Sequence, residues 1–258
     1  LTGDFPPGKK DINSVMRVMV NLMRGHAMAY KVIHELQPEA RVGLSMNYRS
    51  LKAASASPLD KGAAGCQSQM FNDMFPRAAQ TGKLRLLYKT VKIPEAARTQ
   101  DFLGVNYYTR DLVSFDLRHA GTVFTHSYYR PDADLSGTGF IAHEPDGFYE
   151  ALKWGLQFNV PMLVTENGVE DADDKIRPRY IAEHIMKMWR AVNFNWPVKG
   201  YFHWTLVDNF EWERGWSQRF GLWGLDPQTQ VRTRRKSVDL YAAICRQNAL
   251  TYEQVQQY

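Results

Sequence analysis

The chain has little cysteine, only Cys66 and Cys245 among 258 residues. They lie far apart and neither sits in a CxxC or ligand-spaced neighbourhood, so neither a disulfide framework nor a zinc module is expected. A reducing, cytoplasmic compartment is the matching expectation. No run of 18 or more apolar residues occurs, so no membrane-spanning helix is expected. There is no initiating Met and no signal-peptide pattern. The opening Leu1-Thr2-Gly3-Asp4-Phe5-Pro6-Pro7-Gly8 reads as the middle of a loop, so a start further upstream is expected. Short repeats and low-complexity tracts are absent. Gly62 and Gly65 stand outside any phosphate-loop pattern, which argues against a nucleotide site. The net charge is +5, and the densest basic run is Arg232, Arg234, Arg235 and Lys236. Without an aromatic or glycine-rich module beside it, that run reads as solvated charge before a helix and not as a nucleic-acid surface.

What is present is ordinary globular composition, 44% hydrophobic and 23% charged. A strand, a polar or aromatic turn and a helix recur. A helix is predicted over Asp11 to Leu36, capped by Asp11 or Asn13, with apolar Val15, Val18, Met19, Leu22 and Met23 on one side. Strands are predicted at Arg41 to Met46, Asp101 to Val105, Val160 to Val164 and Val198 to Phe202. Further helices are predicted over Pro58 to Met74, Asp146 to Phe158, Pro178 to Asn193 and Lys236 to Gln247, with a hairpin arm over Ser114 to Tyr129. Strands alternating with helices imply a parallel sheet, and right-handed crossovers place every strand end on one face. Asn47, Asn106 with Tyr108, Glu166 and Trp204 then share a rim.

Val164-Thr165-Glu166-Asn167-Gly168 places a carboxylate at the end of a buried strand, with Asn-Gly as the turn that bounds it. Parallel α/β folds put their chemistry at that end. Alternatively, Glu166 merely starts the next helix. Beyond the fourth strand, Asp208-Asn209-Phe210-Glu211-Trp212-Glu213 follows Trp204, with Trp216 and Trp223 nearby. Aromatic faces suit the C–H faces of a pyranose, and carboxylates suit its hydroxyls. A tryptophan-rich core is the plainer alternative, but a core seldom carries so many acids. His26, His34 and His184 lie on helices without a convergent third ligand, and His203 points away from Trp204. No metal and no cofactor are therefore expected.

Four segments carry a resemblance. They are Phe102-Leu103-Gly104-Val105-Asn106-Tyr107-Tyr108-Thr109, Val164-Thr165-Glu166-Asn167-Gly168, the run from Gly200 to Trp212, and Arg219-Phe220-Gly221-Leu222. In order and spacing the chain resembles the glycoside hydrolase family 1 β-glycosidases. The resemblance implies an α/β fold of the (β/α)₈ TIM-barrel type, of which this chain carries about strands five to eight as a single domain over residues 1–258. It implies a retaining β-glucosidase- or β-galactosidase-like hydrolase in which Glu166 is the nucleophile and Tyr108 hydrogen-bonds it. It also implies that Asn106, Trp204, Glu211, Trp212 and Phe220 form the sugar site, with Glu211 at O4 and O6 favouring neutral over 6-phosphorylated sugars.

The family's acid/base glutamate lies in an Asn-Glu-Pro motif, and no Asn-Glu-Pro occurs here. The opening residues resemble the loop that follows it. Glu144, Glu170 and Glu213 are rim acids without motif support. The expected partners are a β-glycoside substrate and either an amino-terminal half or a second copy. A catalytically silent sugar-binding or self-assembling half-barrel is the second reading.

Overall fold

The computed structural model describes residues 7–257; residues 1–6, most of the opening stretch read above as a loop, lie outside them. In chain order, helix α1 (Ile12–Leu36) leads into strand β1 (Gly43–Ala53), and α2 (Pro58–Ser68) and α3 (Met74–Thr81) follow. The short hairpin β2 (Lys83–Arg85) and β3 (Thr90–Lys92) precedes the long β4 (Phe102–Phe115), β5 (Thr125–Tyr128) and α4 (Pro145–Gly155). Next come β6 (Met162–Asn167), α5 (Arg177–Asn193), β7 (Val198–Tyr201), the hairpin β8 (Trp223–Leu225) and β9 (Arg232–Arg234), α6 (Ser237–Gln247) and α7 (Tyr252–Gln256).

The sheet order is β1-β4-β6-β7, all parallel, and β5 pairs antiparallel with the distal part of β4. Each parallel step is bridged by helices, as a crossover requires. One face of the sheet packs on those helices. Leu103, Val105, Tyr107, Met162 and Val164 meet Phe148, Ala151 and Leu152 of α4 in the main core. Alternation in β1 shows what the other face holds. Met46, Tyr48 and Ser50 are buried, whereas Ser45, Asn47 and Arg49 are exposed. The second face is therefore polar and open along this edge strand.

Several elements differ from the sequence reading. Asp11 is the cap of α1, its carboxylate accepting from the Asn13 and Ser14 amides. The helix predicted to stop at Met74 instead passes through a π-helical segment, Gln69–Asp73, and continues as α3. The segment wraps Asn72 inward, where its side chain accepts from Arg49 N and donates to Arg49 O. β1 and β4 run well past their predicted ends. The first strand of the expected arm is simply the extension of β4, paired Leu112↔Tyr128 through Phe115↔Thr125. The basic run is not uniformly solvated. Arg232 and Arg234 lie in exposed β9, but Arg235 is drawn inward by Asp208, to which Nη1 and Nη2 each donate at 2.9 Å.

Candidate active site

Register alone brings the strand ends together, since Asn47 opposes Asn106 and Asn106 opposes Glu166. Two irregularities refine that alignment. Between β4 and β6 the pairing passes from Val105↔Val164 to Asn106↔Glu166, so Thr165 is one extra residue in β6. Between β1 and β4 it passes from Tyr48↔Tyr107 to Ser50↔Arg110, so β4 gains one residue at Tyr108-Thr109. A bulge re-aims the side chains beside it. Tyr108 Oη thereby donates to Glu166 Oε2 at 2.5 Å.

Asn106 sits beneath Glu166 and is buried; it does not line the cavity wall. Its Oδ1 accepts from Ser45 Oγ at 2.9 Å and from Thr165 Oγ1 at 2.5 Å. With that oxygen engaged, the amide NH₂ is the group left to stabilise the Glu166 carboxylate. Burial pushes the Glu166 carboxyl above its ordinary value, while Tyr108 and Asn106 pull it back down by stabilising the carboxylate. Burial and the neighbouring Glu166 charge push the Tyr108 phenol strongly upward, so it stays a donor.

Below the rim, Asn167 is not the turn residue expected of an Asn-Gly pair. It lies within β6, fully buried, and its Nδ2 donates to Tyr107 O and Tyr180 Oη while its Oδ1 accepts from Tyr201 Oη. Tyr180 Oη in turn donates to Tyr108 O at 2.9 Å. One amide thus ties three strands and α5 together under the Tyr108–Glu166 pair. Gly168 is required by a close approach: a Cβ there would stand 1.8 Å from Trp204 O.

The wall opposite is built by residues 204–222. Trp204 N donates to Asn167 O, and Thr205 N and Leu222 N exchange hydrogen bonds with Phe220 O and Thr205 O. The Trp204–Thr205 peptide is cis. Asp208 anchors the loop from behind, accepting from the Gly221 and Leu225 amides as well as from Arg235. Phe220 is buried edge-on against Tyr108, with ring centroids 6.0 Å apart. Trp212 stands at the mouth, 72% exposed. Glu211 Oε2 is buried with no hydrogen-bond partner, an arrangement that costs free energy until a donor arrives. Its carboxyl is raised by burial first, then by Glu166 and Glu213.

These residues enclose a cavity of about 420 Å³ that holds Asn47, Tyr108, Glu166, Trp204, Glu211, Trp212 and Phe220 on one lining. Arg49, Tyr129, Phe140 and Arg214 also line it and were not singled out from the sequence. Arg49 lies beside the β1–β4 bulge, and Tyr129, Phe140 and Arg214 lie outside the strands, where no periodic pattern marks which side chains turn inward. Of the unsupported rim acids, only Glu213 reaches the cavity. Glu144 is buried and engaged by Arg110 and Arg130, and Glu170 accepts from Ser136 and Thr138. The helical histidines have packing roles. His26 meets Thr99 O, His34 pairs with Asp101, and His184 stacks on Tyr180. His203 faces Tyr241, on the side away from the Trp204 cluster.

The cavity thus joins aromatic faces to a half-buried carboxylate, Glu166, that accepts from the Tyr108 phenol. The model of the family described as glycosyl hydrolase family 1 matches residues 1–250, and the chain belongs to that family. It is 30% identical to a β-galactosidase of Pyrococcus woesei, over 96% of this chain and 54% of that protein. It is 32% identical to β-glucosidase A of Thermotoga maritima, over 97% of this chain and 60% of that protein. Among solved structures, the β-glycosidase from Pyrococcus horikoshii superposes with a TM-score of 0.92 at 33% identity, covering 100% of this chain and 60% of that one. The Thermotoga maritima β-glucosidase in complex with glucoimidazole gives 0.88 at 30% identity, over 97% and 61%. These neighbours are (β/α)₈ barrels. The chain spans between half and about three-fifths of the length of these relatives.

Proposed function

We propose that this chain supplies the nucleophile-bearing half, strands five to eight, of a retaining β-glycosidase acting on neutral β-glucosides or β-galactosides. Glu166 attacks the anomeric carbon and forms the glycosyl-enzyme bond as the aglycone oxygen leaves. Tyr108 and Asn106 hold its carboxylate in place. Trp204 carries the sugar ring, Glu211 and Trp212 take its hydroxyls, and Phe220 backs the wall. The observation that carries this reading is the 2.5 Å bond from Tyr108 to Glu166 at the base of the cavity. Retention needs a second carboxyl roughly 5–5.5 Å from the first, to protonate the leaving oxygen and then activate water. Glu211 faces the sugar hydroxyls in this reading, and Glu213 is ion-paired with Arg214. The acid/base group is therefore supplied by an amino-terminal half outside this sequence.

A second reading, a silent half-barrel that binds sugar, is favoured by that same lack of a second placed carboxyl among the described residues. Proton NMR of the first-released sugar tests the proposal on protein supplied with an amino-terminal half from a relative. The β-anomer is expected first from a β-glucoside. Release of the α-anomer contradicts retention, and a bound sugar with no turnover supports the silent reading.

A further inference from the structure

A second cluster of chemistry-bearing side chains lies away from the cavity, at the tip of the β4–β5 arm. The turn there closes on itself: Thr122 Oγ1 donates to Thr125 O at 2.6 Å, and Thr125 Oγ1 donates to Thr122 O at 2.7 Å. Val123 and Phe124 both adopt left-handed backbone, with φ of 58° and 57°. That conformation is costly for a β-branched residue and needs the surrounding bonds to hold it. Its result is that the chain doubles back and lays His126 over His119. The two rings stack with centroids 4.7 Å apart and planes 9° from parallel. Asp116 sits at the foot of the pair, with Oδ2 3.7 Å from His119 Nε2. One ligand atom each from Asp116, His119 and His126 lies within 4.8 Å of the other two.

We propose that Asp116, His119 and His126 form a binding site for a divalent first-row cation of the zinc type. Two imidazoles and one carboxylate are a donor set that zinc accepts with a fourth position left for water. Around a tetrahedral ion with bonds of ~2.0–2.2 Å, ligand atoms stand ~3.4 Å apart. The Asp116–His119 separation is already near that value, and the remaining gap closes by rotation of the exposed His126 ring. Arg118 now donates to both carboxylate oxygens of Asp116, but its side chain is 86% exposed. Such surface pairs contribute little and yield readily to a competing ion. A bound cation joins the turn to β5. Tyr129 follows β5 directly and lines the sugar cavity, so the ion stiffens one wall of it. The proposal stands independently of the role assigned to Glu166.

Isothermal titration of the chelator-treated protein with zinc chloride tests it. Saturable binding of one ion per chain is expected, together with slowed amide exchange in the paired segments 112–115 and 125–128. His119→Ala, His126→Ala and Asp116→Asn should each weaken binding by more than the ~10-fold that loss of a mere partner of a ligand costs, with the circular dichroism unchanged. Arg118→Ala, which removes the competing cation at an exposed position, should tighten it. Absence of saturable binding into the millimolar range overturns the proposal. So does binding indifferent to the three ligand substitutions, or affinity that Arg118→Ala fails to raise.

Discussion

At the scale of single residues, the site turns on how a buried carboxylate is kept charged. Burial raises the Glu166 carboxyl, and the Tyr108 and Asn106 donors oppose that rise. Removing one donor while leaving its ring in place should therefore do two things. Tyr108→Phe deletes a hydrogen bond to a charged group, worth ~1.5–3 kcal/mol, so kcat should fall roughly 10- to 100-fold. The pH profile should move as well. As the proposed nucleophile Glu166 has to be deprotonated, so the acid limb should follow its pKa; without the phenol the carboxyl rises further, and the limb should shift to higher pH. Steady-state kinetics across pH checks both effects. An unshifted limb would mean that Tyr108 acts only by packing.

At the scale of elements, the sequence made the strand-and-helix alternation legible, because apolar runs and helix caps are local signals. Asn47, Asn106, Tyr108, Glu166 and Trp204 were legible as residues following apolar runs, although Asn47, Asn106 and Tyr108 lie within strands that continue past them and Asn106 sits beneath the cavity. The bulges at Thr165 and at Tyr108-Thr109 were not, because an extra strand residue shows only against its partner's register. The π segment that clamps Arg49 was hidden within an otherwise helical pattern. Asn167-Gly168 misled in an instructive way. The pair reads as a turn, yet Asn167 is a buried strand residue and Gly168 exists for the approach of Trp204 O. Gly168→Ala is therefore predicted to push the Trp204 backbone away from β6. Overpacking of this kind costs about 1–3 kcal/mol, read as a lower unfolding midpoint. A displaced ring floor should cost roughly 10²-fold in kcat/KM. Wild-type kinetics in the alanine variant would show that Trp204 does not fix the sugar.

At the scale of the whole molecule, the parallel sheet is open, with β1 and β7 as its outer strands among the described residues. Ser45, Asn47 and Arg49 of β1 are exposed on the cavity face of the sheet, and Phe202, Leu206 and Phe210 are exposed beyond β7. Open edges and uncovered apolar side chains invite a partner, and barrel closure removes them. The chain and a supplied amino-terminal half are predicted to act together. Cellobiose hydrolysis by the chain alone should be slower by ~10²–10⁴-fold, the usual worth of acid/base assistance. A nitrophenyl glucoside, whose leaving group needs the proton least, should be less affected. Robust cellobiose hydrolysis by the chain alone as a monomer would mean that its acid is already present.

The central claim, that Glu166 is the nucleophile, is tested most directly by trapping the glycosyl-enzyme. Protein supplied with the amino-terminal half is treated with a 2-deoxy-2-fluoro-β-glucoside bearing a good leaving group, then digested and mapped by mass spectrometry. The account predicts that the added sugar mass resides on the peptide containing Val164-Thr165-Glu166-Asn167-Gly168, at Glu166. Sugar mass on Glu211, Glu213 or any other carboxylate would contradict it.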